Sequence, residues 1–333
     1  MLLSPAILGL LCCSALVGAV AALAAAAGLS VMFGWDPEDS GDRQLARERR
    51  SFLVEAALRV VLGCQLLSLF LFIATADRLH PLFTGAMCAA GTLNASRFGY
   101  PTLLVKMAGF LLCGLWLVVS RASLTAGSTG LVRFKQASAL CIVGALLAEN
   151  VLQYRYFSDL NPEILTSCCA TLFNEDAAGL GSNLAALPVR ESRVIFFAAL
   201  ALTLGTGLSS LRNTRSPALF SVLTLLLGVV SLAAVITWVA PGFYELPTHH
   251  CPFCLLSSEY GYVGYPLYGL LSLGVVAGGG SGLLHILRGI DPLRSIGPGE
   301  ERRLCVTSMA AFVLFVLIAV WPMVASDFRM EGY

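Results

Sequence analysis

The densest group of potential ligands in the sequence lies in residues 245–269, ELPTHHCPFCLLSSEYGYVGYPLYG. His249 and His250 directly precede Cys251, and the chain has only four histidines. Cys254 follows Cys251 with a proline and a phenylalanine between them. Thiolates and imidazoles bind soft and borderline metal ions, and a pair of cysteines at this spacing also supports thiol–disulfide exchange. The segment therefore predicts either redox chemistry or metal binding, with a static disulfide as a third interpretation.

Three further cysteines are candidates for the same chemistry. Cys168 and Cys169 are adjacent in ILTSCCATLFN, and Cys88 lies in the small-residue segment FTGAMCAAGTLNA. A disulfide between adjacent residues is strained and easily reduced, whereas two adjacent thiolates suit large soft ions such as Hg(II) or Cu(I). Simple packing of buried thiols remains the alternative interpretation for all three cysteines.

The position of Cys251 and Cys254 before an apolar segment predicts that they begin a helix. A helix N-terminus favours the thiolate of the first cysteine, which makes Cys251 the attacking group. A protonated His250 beside it would favour the thiolate further. Pro252 suits the first turn of a helix, where its missing N–H is not needed.

The composition predicts the environment of these residues. The chain has 333 residues, of which 57% are hydrophobic and only 12% charged, and its mean hydropathy is +0.80. A helix needs about 20 apolar residues to cross the hydrocarbon core, and several such runs are present. The sequence therefore predicts an all-α, polytopic membrane protein in contact with lipid. A formal net charge of +1 and the absence of a basic tract argue against a nucleic-acid partner.

We expect about eight transmembrane helices in a single domain over residues 1–333. The predicted spans are 5–33, 52–76, 102–120, 136–157, 194–211, 218–240, 262–287 and 304–325. We expect the first span to be retained as a helix and not cleaved as a signal peptide, because no basic residue precedes it and its apolar run is long.

Basic residues predict the orientation of the chain. They are concentrated in residues 34–51, 121–135 and 288–303 and in the turn after the fifth span. The positive-inside rule places these segments in the cytoplasm, so both termini and the segments 77–101, 158–193 and 241–261 lie outside. The five cysteines described above all fall in these three outer loops, and no predicted cytoplasmic loop contains a cysteine. This distribution predicts chemistry in an oxidising compartment.

The three outer loops should converge if they form one site. Thiol exchange requires contact between sulfurs, and capture of one ion by several loops requires similar closeness. We therefore expect Cys88, Cys168 and Cys169 to lie within about 10 Å of Cys251 and Cys254. The other six cysteines fall within spans, where packing is the expected role.

Ionisable residues inside the spans form a second set of candidates. Lys106 near the outer end of the third span and Glu149 near that of the fourth should lie at similar depth and stabilise each other. The alternative is that Lys106 extends to the surface and Glu149 reaches water. Glu55 and Arg59, four residues apart in the second span, are expected to satisfy each other.

The motif Cys-Pro-Phe-Cys-Leu-Leu at the entrance of a membrane helix resembles the redox motif of bacterial vitamin K epoxide reductase homologues. It is also similar to the disulfide bond formation protein B family, and the resemblance covers about ten residues. It implies that Cys251 and Cys254 lie beside a bound quinone in a bacterial inner membrane. It also implies that a second pair passes electrons from periplasmic thiol proteins, a role for Cys168 and Cys169 or for Cys88 with one of them.

Two functions follow from these observations. The first is a membrane thiol–disulfide oxidoreductase or electron-transfer protein with Cys251, Cys254, Cys168, Cys169 and Cys88 as catalytic residues, and with a quinone as one candidate cofactor. The second is a non-enzymatic transporter or metallation factor for a soft metal ion such as copper, mercury or zinc. Its ligands would come from Cys88, Cys168, Cys169, Cys251, Cys254, His249 and His250. The almost wholly apolar centres of the spans disfavour transport.

Overall fold

The computed structural model of the protein describes residues 2, 4–34, 41–125, 131–163, 166, 183–184, 186–212, 217–288, 298–326 and 328. All regular elements among these residues are helices. The main helices are α1 (Pro5–Gly34), α2 (Asp42–Leu79), α3 (Ala89–Asn94), α4 (Gly99–Thr125), α5 (Val132–Asp159), α6 (Val189–Arg212), α7 (Pro217–Ala234), α8 (Ala240–Tyr244), α9 (Gly264–Arg288) and α10 (Pro298–Ala325).

Eight helices within the described part of the chain are long and apolar enough to cross a membrane. They are α1, α2, α4, α5, α6, the continuous α7–α8 segment, α9 and α10. A π-helical stretch, Val235–Val239, joins α7 to α8. The predicted all-α class and number of spans are confirmed, and the observed helices extend beyond the predicted spans at most ends. The positions of the termini and the single-domain organisation stay predictions.

Chain contacts divide the protein into two compact units. The first unit comprises Met1–Thr75, Ser96–Leu160 and Leu283–Glu300. The second comprises Ala76–Ala95, Asn161–Gly282 and Glu301–Tyr333.

The apolar core of the first unit lies between α1, α2, α4 and α5. Leu58 and Leu62 of α2, Trp116 of α4 and Ile142 and Leu146 of α5 are buried there. Alanines on the facing side of α1 leave room for this close approach, because their side chains occupy little space. Helix α5 therefore packs against both α1 and α4.

Two buried ion pairs connect three of these four helices, α2, α4 and α5. Lys106 of α4 lies 2.5 Å from Glu149 of α5, and both residues are 1% exposed. Gln65 of α2 donates to both carboxylate oxygens of Glu149 at 2.8 Å, and Ser68 accepts from Lys106 at 2.7 Å. The predicted pairing of Lys106 with Glu149 is confirmed, and the alternative that Lys106 extends to the surface is wrong.

The second ion pair differs from the sequence-based expectation. Glu55 lies 3.6 Å from Arg59, as predicted, but its closer partner is Lys135 at 2.7 Å. Lys135 is 3% exposed and also donates to Ser123 at 3.0 Å. The sequence placed Lys135 in a cytoplasmic loop, whereas the structure has it in the first turn of α5.

In the second unit, α6 packs along α7 and the π-helical stretch. Phe196 of α6, Trp238 of the π-helical stretch and Phe315 of α10 are buried and pack through their rings. Ser192 and Thr237 join α6 to the π-helical stretch through a hydroxyl–hydroxyl contact of 2.8 Å. These contacts fix the end of α8, from which the cysteine-bearing loop begins.

Candidate functional site

Cys251 and Cys254 lie in an ordered loop between α8 and α9, not at the start of a long helix. Cys254 begins a single 3₁₀ turn, Cys254–Leu256, and α9 starts only at Gly264. The expectation that the helix N-terminus favours the Cys251 thiolate is therefore wrong. Two consecutive residues with positive φ, Gly261 at 61° and Tyr262 at 57°, turn the chain before α9 and delay the helix.

Close packing holds this loop against the start of α9. A Cβ atom on Gly264 would lie 2.9 Å from the carbonyl carbon of Leu255, so glycine is required for the approach. Tyr268, one turn into α9, donates its hydroxyl to the Pro252 carbonyl at 2.7 Å. Tyr268 thus fixes the backbone between the two cysteines.

A second tyrosine fixes Cys251 from the opposite end of the loop. Tyr244, the last residue of α8, donates its hydroxyl to the Cys251 carbonyl at 2.6 Å. Its ring packs edge-on against His249 at 4.7 Å and tilted against Tyr260 at 4.5 Å. Burial, and then the neighbouring Cys254 and Glu259, raise the pKa of Tyr260, so its phenol stays neutral at physiological pH. Sequence reasoning missed the role of Tyr244, since nothing in its local pattern indicates a contact with the loop.

Cys88 is positioned by the end of α2 and the start of α3. Asp77 accepts a hydrogen bond from the Ala89 N–H at 3.1 Å and so caps α3 from the preceding helix. His80 contacts the Asp77 carbonyl at 2.5 Å and completes this corner. Asp77 thus accepts the first N–H of α3. The thiol of Cys88 points toward the loop that contains Cys251 and Cys254.

The three sulfurs of Cys88, Cys251 and Cys254 lie together, and we call these residues the cysteine cluster. All three sulfurs are within 4.8 Å of one another, and those of Cys88 and Cys251 are 3.5 Å apart. The three residues are 1%, 0% and 8% exposed, respectively. The predicted convergence of Cys88 with Cys251 and Cys254 is confirmed.

The two histidines beside the cluster take different positions. His249 is half-buried, and its Nε2 atom lies 3.4 Å from the sulfur of Cys254. His250 is buried, and its Nδ1 atom lies 3.0 Å from the carbonyl oxygen of Ile236. His249 therefore offers a nitrogen to the cluster, whereas His250 connects the loop to the π-helical stretch.

Cys168 and Cys169 lie outside the described residues. The nearest described residue before them is Thr166, whose N–H bonds to the Thr84 carbonyl at 3.0 Å. Gly85 follows with a φ of 89°, which favours glycine. The chain thus passes the Cys88 loop at Thr166, and the predicted role of Cys168 and Cys169 stays a prediction.

The remaining cysteines lie in the spans, as expected. Cys113 and Cys305 are buried, and Cys305 contacts the Gly207 carbonyl at 3.5 Å. Among the described residues, the cysteine cluster is the one group of three ligands close enough to hold a metal ion.

Comparison of the chain with protein families, with curated proteins and with solved structures finds no match.

Proposed function

We propose that the protein binds a soft metal ion at the cysteine cluster. The observation that carries this proposal is the contact between Cys88 and Cys251, which are 163 positions apart, together with Cys254 in the same group. The segment between α2 and α3 provides one of the three buried thiols, and the loop between α8 and α9 provides the other two. Packing alone does not require three thiols there, because a cysteine side chain packs like any small apolar group.

The spacing of the sulfurs fits a three-thiolate site. Three sulfurs bound to an ion at about 2.3 Å would lie about 4.0 Å apart in a trigonal site and about 3.8 Å apart in a tetrahedral one. The Cys88 and Cys251 sulfurs are 3.5 Å apart, and no two sulfurs of the cluster are more than 4.8 Å apart, which is compatible with both values. Small side-chain rotations would therefore complete coordination without movement of the backbone.

The donor set favours copper(I), mercury(II) or zinc(II) over hard cations. Thiolates select soft ions, and carboxylate and carbonyl oxygens suit magnesium and calcium. Copper(I) and mercury(II) accept three thiolates, whereas zinc requires a fourth ligand in a closed site. The Nε2 atom of His249, which lies 3.4 Å from the sulfur of Cys254, would be this fourth ligand.

His249 is also the exchange ligand in this proposal. It is half-buried, while the three cysteines are almost fully enclosed. An incoming ion meets the imidazole first and passes to Cys254, which is in contact with it at 3.4 Å. The protein would then act as a metallation factor that accepts or donates an ion at one face of the membrane.

Thiol–disulfide exchange is the second candidate, favoured by the 3.5 Å contact between Cys88 and Cys251. Oxidation of these two thiols would form one disulfide and release two electrons and two protons. A quinone would take both and leave as the quinol. An almost wholly apolar groove of about 400 Å³ lies in the second unit, lined by Phe243, Val263, Leu270, Leu314, Leu317, Ile318 and Trp321. It would accept a hydrocarbon tail, and the indole N–H of Trp321 is the one polar side-chain group among these residues.

Metal analysis with a thiol count separates the two functions. Protein purified in detergent would be divided into untreated, chelator-treated and reduced samples, and metal content and free thiols measured in each. Stoichiometric soft metal with thiols that appear only after chelation supports metal binding. Absence of metal, with two more thiols after reduction, would overturn it in favour of disulfide exchange. X-ray absorption of the loaded protein should show three sulfur neighbours.

Cys168 and Cys169 are proposed as an auxiliary pair that delivers the ion or, in the redox function, the electrons. A Cys168→Ser/Cys169→Ser variant should retain the metal and exchange it more slowly with a competing chelator. Loss of the bound metal itself would place the pair among the permanent ligands.

We further propose that the cluster faces the periplasm from a bacterial inner membrane. The charge distribution of the loops supports this orientation. Cysteines introduced by Arg97→Cys and Arg133→Cys, both at exposed positions, form a matched pair. An impermeant maleimide should label only the first in intact cells. Labelling at position 133 would reverse the orientation.

A further inference from the structure

The π-helical stretch before the cysteine loop leaves one carbonyl without a backbone donor. The residue that follows this stretch, Ala240, donates its N–H to the carbonyl of Val235, five residues earlier. In an α-helix that N–H would bond to Ile236 instead. In the π register the Ile236 carbonyl would take the N–H of residue 241, which is proline and has none. The α register would satisfy this carbonyl through Ala240, whereas the observed π register leaves it without an N–H from the helix.

His250 provides the missing donor. Its Nδ1 atom lies 3.0 Å from the Ile236 carbonyl oxygen, and the histidine is 4% exposed. A carbonyl only accepts hydrogen bonds, so Nδ1 carries the proton. A buried carbonyl is costly to leave unpaired, which gives this hydrogen bond more weight than an exposed one.

Helix α8, which follows the π-helical stretch, also holds Cys251, the residue after His250. Tyr244 donates to the Cys251 carbonyl at 2.6 Å, and His250 directly precedes Cys251. The backbone on both sides of the Cys251 side chain is thus attached to the π-helical stretch and α8. The sulfur of Cys251 is in turn the one in contact with Cys88.

We propose that His250 is a positioning residue that keeps the Cys251 sulfur beside Cys88 by satisfying the carbonyl left open by Pro241. It acts through its bond to Ile236 and not as a metal ligand. Loss of this bond leaves Tyr244 as the remaining hydrogen bond from the sixth span to this part of the loop, so Cys251 should move more freely away from Cys88. Only the metal readout of this inference rests on the proposed function.

Rescue of a defective variant tests the inference. His250→Ala removes the donor, and His250→Asn restores an N–H at a position close to Nδ1. Pro241→Ala gives residue 241 an N–H that can reach Ile236 in the π register, so it should compensate for His250→Ala. His285→Ala is the matched control, since this histidine lies in the last turn of α9, at the opposite end of that helix from the cysteine loop.

Two measurements are made on each variant. The first is the rate of Cys251 alkylation by iodoacetamide in reduced, metal-free protein, followed by mass spectrometry. The second is copper(I) retention against a chelator. His250→Ala should raise the alkylation rate about tenfold and weaken copper(I) retention about tenfold, as expected for an unpaired buried carbonyl. His250→Asn and the double variant His250→Ala/Pro241→Ala should return both values most of the way to those of the unmodified protein.

The outcomes separate the two proposals. If the unmodified protein binds no copper(I), the metal function fails, and the alkylation rates still decide the role of His250. If His250→Asn behaves like His250→Ala, or if Pro241→Ala adds to the defect, the positioning role is wrong. A rise in Cys251 alkylation in His285→Ala equal to that in His250→Ala would also overturn it.

Discussion

The first and second units bury different kinds of ionisable groups. The ion pairs of the first unit combine opposite charges, whereas the cysteine cluster of the second unit contains three groups of the same kind. In the first unit, Lys106 faces Glu149, and Gln65 and Ser68 provide the remaining hydrogen bonds. Positive and negative charges neutralise each other within the protein. Such a group needs nothing from outside and serves to fix three helices in one register.

The cysteine cluster brings together groups that ionise with the same sign. Three thiolates in contact would repel one another, and a buried site screens that repulsion poorly. If the cluster holds thiolates, as proposed above, an external cation would balance their charge, and in the redox function an S–S bond would replace two of them. The comparison indicates that burial alone does not mark a functional site. The proposed site differs from the ion pairs in that its side chains, once ionised, have no opposite charge among themselves and would need a bound cation to supply it.

Loss of a proposed metal ligand should have the largest effect, a decrease in copper(I) affinity. Cys251→Ser removes one of the three thiolates of the cysteine cluster and with it that thiolate's contribution to the free energy of binding. Structural zinc sites contribute about 10–16 kcal/mol in total, and by analogy we expect about a thousandfold weaker copper(I) binding when one thiolate is lost. Chelator competition measures it. Cys305→Ser, at a buried cysteine in the same unit, is the control and should bind normally. Equal weakening in both variants would show that the cluster is not the site.

Removal of one charge from the first unit should instead affect only stability. Lys106→Met leaves Glu149 buried without its cation, which we expect to lower the free energy of unfolding by about 3 kcal/mol. The double variant Lys106→Met/Glu149→Gln should be milder than the single one, because no buried charge remains. Thermal unfolding in detergent tests this, and copper(I) binding should not change. Additive losses in the double-mutant cycle would mean that the two residues do not interact.

The sequence predicted those features that depend on long patterns. The eight spans follow from runs of apolar residues, and the pairing of Lys106 with Glu149 follows from their similar depth in neighbouring spans. The approach of Cys88 to Cys251 was predicted from the side of the membrane on which both loops were expected. In each case a simple physical rule acts over many residues.

Local geometry accounts for what the sequence did not predict. Lys135 was assigned to a loop because it ends a basic segment, but its long side chain turns inward to Glu55 at 2.7 Å. The cysteines were expected at a helix start, whereas positive φ angles at Gly261 and Tyr262 delay α9. The bond from His250 to Ile236 depends on a π-helical stretch, which no sequence periodicity indicated.

Loss of the lysine should lower stability less in the pair Lys135–Glu55 than in the pair Lys106–Glu149. Lys135→Met leaves Glu55 with Arg59, whose guanidinium lies 3.6 Å away and can move closer. We expect a loss of about 1–2 kcal/mol, smaller than for Lys106→Met, because a cation remains beside the carboxylate. Parallel thermal unfolding of the two variants compares them. A larger loss for Lys135→Met would indicate that Arg59 cannot replace the lysine.

The smallest expected effect tests how tightly the first unit encloses its charges. A Cβ atom on Gly109 of α4 would lie 3.2 Å from Oε2 of Glu149, whereas a Cβ on Gly144 of α5 meets nothing within 4 Å. Alanine is preferred over glycine in a helix interior by about 1 kcal/mol, so Gly144→Ala should be neutral or stabilising. Gly109→Ala gains the same preference but pushes the carboxylate away from Lys106 and Gln65. We therefore expect Gly109→Ala to be less stable than Gly144→Ala by about 1 kcal/mol in thermal unfolding. Equal stability of the two variants would show that the carboxylate shifts freely, and the ion pair would then be an adjustable contact instead of a fixed one.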